Sequence, residues 1–309
     1  MLTIFKTTEQ GLVQLDNVAN GCWINVVDPI SEEIKQLETW GIEADLIHYS
    51  LDVDEMARME RDEGYTFILL RIPRYQGAGV DIPYITIPLG IILTDKYVVT
   101  ICKFENDIVR VLYNGKYHGL KTAKRYRFAL YVFLETAMKY LNHLREINRT
   151  VEALEDQLQQ STRNREVLEL LKYQKSLTYF TTGLRSNEVL MERLQRIQMF
   201  RQYEEDKDLL EDVLTENQQA IQMTNIAANI LSQMMDAFAS IISNNLNVIM
   251  KVLAAITIVI NMPTIVASFY GMNVALPFDE HPLAFLIILG ISAILISIAV
   301  YIFAKRDWL

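Results

Sequence analysis

Residues 247–273 read NVIMKVLAAITIVINMPTIVASFYGMN, and this stretch decides the fold. Residues 252–270 carry no charge, and the run is about as long as a bilayer core requires. Asn247, Thr257, Asn261, Thr264 and Ser268 interrupt it. The last four follow one another at intervals of four, three and four, which keeps them on one helical face. Asn247, ten before Thr257, joins that face. Unpartnered polar groups are costly in lipid, so the stripe is expected to face other helices or a water-filled path.

Upstream, residues 204–261 contain neither Gly nor Pro, so one helix beginning near 203 is expected to run into the span without a break. Through residue 270 it would extend roughly 100 Å at 1.5 Å per residue. A helix of that length needs lateral partners. Downstream lies a short loop, 271–282, with Asp279 and Glu280 and no Lys or Arg. A second uncharged run, 283–304, is again long enough to cross. Lys251 precedes the first span, and Lys305 and Arg306 in the tail 305–309 follow the second. The positive-inside rule then puts both termini in the cytosol and the loop outside. A multi-pass protein of the cell's inner or plasma membrane is expected, with the lipid bilayer as its surroundings. Two spans cannot enclose a water path, so a pore requires several copies around an axis, and closed cyclic symmetry is the usual arrangement.

The soluble part divides by period. Residues 1–125 read as a cytosolic α/β domain, with strand-like runs at 22–27, 65–72, 84–93 and 97–102. A helix is expected over 32–40, with Ser31 as its N-cap and Gly41 as its stop. Turns are expected at 76–79 and 94–96. Residues 126–202 read as a helical hairpin, its first helix from about 124 with Phe128, Tyr131, Leu134, Met138, Leu141 and Leu144 at threes and fours. The break is expected at 161–164, before a second helix over 165–196. Residues 203–270 then form a stalk helix that continues into the first span, about 252–270.

A formal charge of −9 and a pI near 5.1 argue against nucleic acid as a partner. Cys22 and Cys102 form no CxxC pair and read as buried, reduced thiols. The four histidines, at 48, 118, 143 and 281, lack metal-ligand spacing. Without HExxH, a phosphate loop or a nucleophile motif, the chain is not expected to be an enzyme.

The sequence resembles the CorA family of magnesium channels. The likeness rests on Tyr270-Gly271-Met272-Asn273 between two C-terminal spans and on the basic tail from Lys305. It rests also on residues 243–247 and 250–253, and on Trp23-Ile24 and Asp28-Pro29 in the soluble domain. This resemblance implies an α+β fold assembled as a funnel-shaped homopentamer, with the first spans lining the pore and the second spans outside. It implies a pathway for hydrated divalent cations, with Mg²⁺ as both transported and regulatory ion and Co²⁺ among the cargo. Tyr270, Gly271, Met272 and Asn273 would form the ion-selecting mouth, where Gly271 is expected to adopt a backbone conformation that a Cβ would penalise. Asn247, Met250, Leu253, Thr257, Asn261, Thr264 and Ser268 would line the wall. The family often has an apolar residue where Asn261 stands, which leaves Met250 and Leu253 as the apolar constriction. Asp279 and Glu280 would enrich cations at the outer mouth.

Regulation is expected at cytosolic acids. Asp236, eleven positions before Asn247, shares the stripe. Asp212 matches a stalk carboxylate with which the family binds regulatory Mg²⁺ against a neighbouring subunit, its partner near Asp62 or Glu63. Gly64 stands where an acid would be expected. Two other readings fit the same pattern: a Zn²⁺, Co²⁺ or Ni²⁺ transporter of this architecture, with or without proton coupling, and a membrane-anchored Mg²⁺-sensing scaffold that does not conduct. The polar stripe itself would also serve as glue between packed helices.

Overall fold

A computed structural model describes the chain except residues 10, 118, 161–163, 202, 273, 275–276, 278–281, 307 and 309. It divides into two compact units, Met1–Gln233 and Met234–Leu309.

The first unit is built on a seven-stranded sheet in the order β2-β1-β3-β7-β6-β5-β4. The strands are β1 (Leu2–Thr8), β2 (Gly11–Leu15), β3 (Trp23–Val27), β4 (Arg58–Asp62), β5 (Tyr65–Tyr75), β6 (Tyr84–Thr94) and β7 (Val98–Cys102). Only β3 and β7 pair in parallel; the other neighbours are antiparallel. The central strands are near-continuous apolar runs because both faces are covered. On one face Trp23, Ile68, Leu70, Ile72, Ile87, Leu89 and Ile91 join a core with α3 (Asp107–Tyr113), α4 (Arg125–Gln160) and α5 (Asn164–Gln195). Alternate residues, Ile24, Val26, Phe67, Leu69, Ile92 and Ile101, face α1 (Ser31–Thr39) and α2 (Ala44–Leu51). Beyond the sheet, buried Leu144, Ile147 and Val151 of α4 and Leu170, Leu177 and Phe180 of α5 continue the apolar seam of the two long helices.

Buried polar contacts join the sheet to α5: Ser176 Oγ accepts from Tyr84 N of β6 at 3.2 Å, and Asn187 pairs with Arg71 of β5. Strand β4 stops pairing β5 at Leu69, so the backbone of Arg71 has no strand partner on that side. Asn187 of α5 supplies one: its Oδ1 accepts from Arg71 N at 2.9 Å, and its Nδ2 donates to Arg71 O at 2.7 Å. Tyr140 of α4 also donates to Arg71 O, at 3.1 Å. All three residues are buried, which satisfies a peptide group that water cannot reach. At the far end of α4, Arg127 forms ion pairs with Glu205 and Asp206 in the first turn of α6 (Glu204–Tyr270), where acidic side chains also complement the helix dipole.

The second unit holds the remainder of α6 and α7 (Ala284–Lys305), and both helices have the length and composition of membrane spans. The boundary between the units falls within α6. Pro263 lies inside α6 and leaves the Val259 carbonyl without its usual N–H donor.

The expected strands and helices are present with ends shifted by up to about three residues, and the turn at 94–96 is the β6–β7 hairpin. Ser31 is not the N-cap. Ile30 holds that position in extended backbone, and Glu33 reaches back to accept from Ile30 N at 3.1 Å. Strands β1, β2 and β4 and helices α2 and α3 were not expected from the sequence. β2 and β4 are edge strands with exposed, polar or charged residues, and α2 and α3 are too short to show a period. The break expected at 161–164 lies largely outside the described residues.

Replacing Asn187 with Leu strands the Arg71 amide and removes one acceptor bond. The expected loss is roughly 1–3 kcal/mol, read as a lower melting temperature of the detergent-solubilised protein. An unchanged melting temperature would mean that the α5–β5 bridge does not support the fold.

Candidate ion pathway and metal sites

At about 100° per residue, the spanning part of α6 has two distinct sides. Ala255 and Val266 are buried, and Val252, Val259, Met262 and Tyr270 are half-buried within about 60° of Ala255. These residues form the side that the protein's own side chains cover. On α7 the buried positions are Ser292 and Ala299, seven apart and therefore on one face. Small residues of this kind allow helices in a bilayer to approach closely.

Met250, Leu253, Thr257, Asn261, Thr264 and Ser268 are all exposed, and they centre roughly 180° from the covered side, with Asn247 at the edge of the group. Asp236, also exposed, lies in the same sector. Thr257 donates its hydroxyl to Leu253 O at 2.7 Å, and Thr264 donates to Ile260 O at 3.5 Å. Their protons are directed into the helix, so the lone pairs of both oxygens remain available outward. The uncovered side therefore presents acceptors, which suit a cation or its water shell.

At the C-terminal end of α6, Gly271 N donates to Ala267 O at 2.9 Å and Met272 N to Phe269 O at 3.2 Å. Tyr270 donates its hydroxyl to Pro277 O at 3.2 Å, which ties the following loop to the helix end. The expected backbone strain at Gly271 is absent, because this glycine is not in the left-handed region. The constraint is space instead: a Cβ there would lie 3.3 Å from the Ala267 carbonyl oxygen. Asn273, Asp279 and Glu280 lie outside the described residues.

Among the described residues, the acids expected to regulate form no three-carboxylate site. Asp212 is exposed beside buried Val213. Asp62 and Glu63 are exposed at the β4–β5 turn, where Asp62 Oδ1 accepts from Glu63 N at 2.7 Å. Gly64 closes this two-residue turn with φ +96°, a conformation an acidic side chain would resist, which accounts for a glycine where the resemblance calls for an acid. Among the described residues, no three His, Cys, Asp or Glu side chains come close enough together to hold a metal. Cys22 and Cys102 are free and buried, and burial pushes the Cys102 thiol up to about 11. The sequence reading passed over a groove between α5 and α6. Its only sequence signal is a pair of glutamates four apart on α5, Glu188 and Glu192.

The sequence pattern of the family described as "CorA-like Mg2+ transporter protein" matches residues 19–306. The chain is 29% identical over 328 aligned positions to the "Cobalt/magnesium transport protein CorA" of Methanocaldococcus jannaschii, with all of both chains covered. It is 23% identical to the protein of the same description from Thermotoga maritima, covering 99% of this chain and 88% of that one. The complete structure of the CorA magnesium transporter from Methanocaldococcus jannaschii superposes with a TM-score of 0.87 at 25% identity, covering 100% of this chain and 99% of that one. A match over almost the whole length, carried by the two spans as well as the soluble fold, establishes that the chain belongs to the CorA family of Mg²⁺ transporters.

Proposed function

We propose that five copies of this chain form a Mg²⁺ channel in the plasma membrane, with the uncovered side of each α6 span facing a shared central path. The observation that carries this reading is the separation of the two sides of α6. The polar stripe points away from the side that the described residues of the chain cover. In lipid such a stripe is costly; around an axis of several copies it becomes the wall of a wet pore. Both termini lie in the cytosol, with Lys251, Lys305 and Arg306 on the inner side.

The chemistry suits Mg²⁺, which releases its waters reluctantly. A ring of Asn273 carboxamides at the mouth offers neutral oxygen acceptors to the hydrated ion without the deep well that carboxylates would create. Tyr270, Gly271 and Met272 set the position of that ring, and Asp279 and Glu280 raise the local cation concentration. Thr264, Asn261 and Thr257 pass the hydrated ion inward, and Ser268 contributes near the entrance. Met250 and Leu253 form an apolar constriction that closes by dewetting, with Asn247 at its cytosolic end. Entry is driven by the membrane potential, worth about 2.3 kcal/mol per elementary charge per 100 mV. The Methanocaldococcus jannaschii and Thermotoga maritima relatives are described as cobalt/magnesium transport proteins, and Co²⁺ is accordingly a second cargo.

Closure follows from cytosolic Mg²⁺ bridging carboxylates of neighbouring copies. Asp212 is the stalk ligand, Asp62 and Glu63 stand for the partner surface, and Asp236 forms an acidic ring below the pore. Among the described residues no three acids of one chain gather into a metal site, which fits ligands shared between copies. Loss of the ion releases the stalks and opens the path.

Two measurements test this reading. Buried Cys22 and Cys102 leave a quiet background for cysteine labelling in liposomes. A charged thiol reagent is expected to modify Thr264→Cys, on the stripe, much faster than Val266→Cys, on the covered side. Equal rates would remove the stripe from the water path. In patch recordings, Asp212→Ala is expected to weaken inhibition by cytosolic Mg²⁺ while conduction persists; inhibition at the wild-type Mg²⁺ concentration would remove Asp212 from the regulatory site.

A further inference from the structure

The last turns of α5 and the early turns of α6 pack through Leu190, Met191 and Leu194 against Leu210 and Val213. Beside this contact lies a groove of about 540 Å³ lined by Glu188 and Glu192 of α5 and by Asn217, Gln218 and Gln222 of α6. All of it belongs to the first unit.

Three features of the groove are unexplained by packing. Glu188 and Glu192 stand one helical turn apart, a like-charge spacing that destabilises an isolated helix. Among the described residues neither forms an ion pair, although Arg185 and Arg193 are on the same helix and Arg196 directly follows it. Asn217 is 3% exposed, and its Oδ1 is buried with no hydrogen-bond partner. A buried carbonyl without a donor is uncommon in folded proteins and calls for a ligand, an ion or a water. The residue that carries it lines the same groove as the two unpaired carboxylates.

The lining offers oxygen donors throughout: two carboxylates, five carboxamides and the Thr215 hydroxyl. With no His or Cys, it matches a hard divalent cation rather than a softer transition metal. Two negative charges balance one such ion, and the groove has room for an ion that keeps part of its water shell. We infer that Glu188, Glu192 and Asn217 bind a partly hydrated divalent cation within a single chain, clasping α5 to α6. This site is distinct from Asp212, which lies five residues before Asn217 and therefore about 140° round the helix from it. The inference does not depend on conduction, since a chain that carried no ions would hold this one equally well.

Mn²⁺ serves as the probe, counted by electron paramagnetic resonance on the purified full-length protein. The double variant Glu188→Gln/Glu192→Gln is expected to bind one Mn²⁺ fewer per chain than wild type. The same loss is expected when the pair is introduced into Asp212→Ala, because the sites are separate. Asn217→Leu is expected to lose the same ion and, in chelator, to melt at a higher temperature than wild type, since the orphaned oxygen is gone. Wild-type Mn²⁺ counts in either variant would overturn the inference. So would a change in oligomeric state with an unchanged count, which would indicate a basic side chain of a second copy in the groove. If the double variant does not fold, exposed Glu192→Gln alone is expected to weaken Mn²⁺ binding by about tenfold or more. Unchanged affinity there is equally contrary.

Discussion

A hydroxyl or carboxamide on a membrane-spanning helix must meet a partner or water, because hydrocarbon provides neither. The uncovered side of α6 violates that requirement in a single copy, with Thr257, Asn261, Thr264 and Ser268 exposed along one line. The threonines meet half of it themselves by donating to Leu253 and Ile260 carbonyls. Their acceptor lone pairs and the Asn261 carboxamide are left over. In the proposed assembly around an axis, neighbouring copies would supply what the lone chain lacks, and the result would be a path lined with oxygen.

The same requirement, in milder form, organises the soluble unit. Where strand β4 ends, the Arg71 peptide would be buried and unpaired, and Asn187 of α5 takes the place of a strand. Tyr140 of α4 adds a third bond to the same group. Both long helices are thus fastened to the sheet by a backbone polar group as well as by an apolar seam. Asn217 is the exception among these buried amides, and its unmet acceptor is the reason the α5–α6 groove stands out.

Much of this was legible in the sequence, because it rests on period and charge. The spans, the helix that enters the first of them and the stripe on it all follow from long runs, and β3, β5, β6 and β7 follow from dense β-branched and aromatic composition. What escaped notice lacked those signals. β4, reading RMERD, is a charged edge strand, and α2 and α3 extend for about two turns each. Ile30 as an N-cap gives no side-chain cue, so Ser31 was the natural choice. At Gly271 the residue type was informative but the reason was not: space beside the Ala267 carbonyl matters, rather than a left-handed φ. The Asn217 groove was invisible because its members come from two helices and are united only by packing.

The most direct measurement is potential-driven Mg²⁺ uptake into liposomes that hold the purified protein. A pore lined by the α6 stripe predicts uptake that rises with inside-negative potential in wild type and is abolished by Thr264→Lys, which places a charge in the path. Wild-type uptake no faster than in protein-free liposomes, or undiminished uptake in Thr264→Lys, would contradict it.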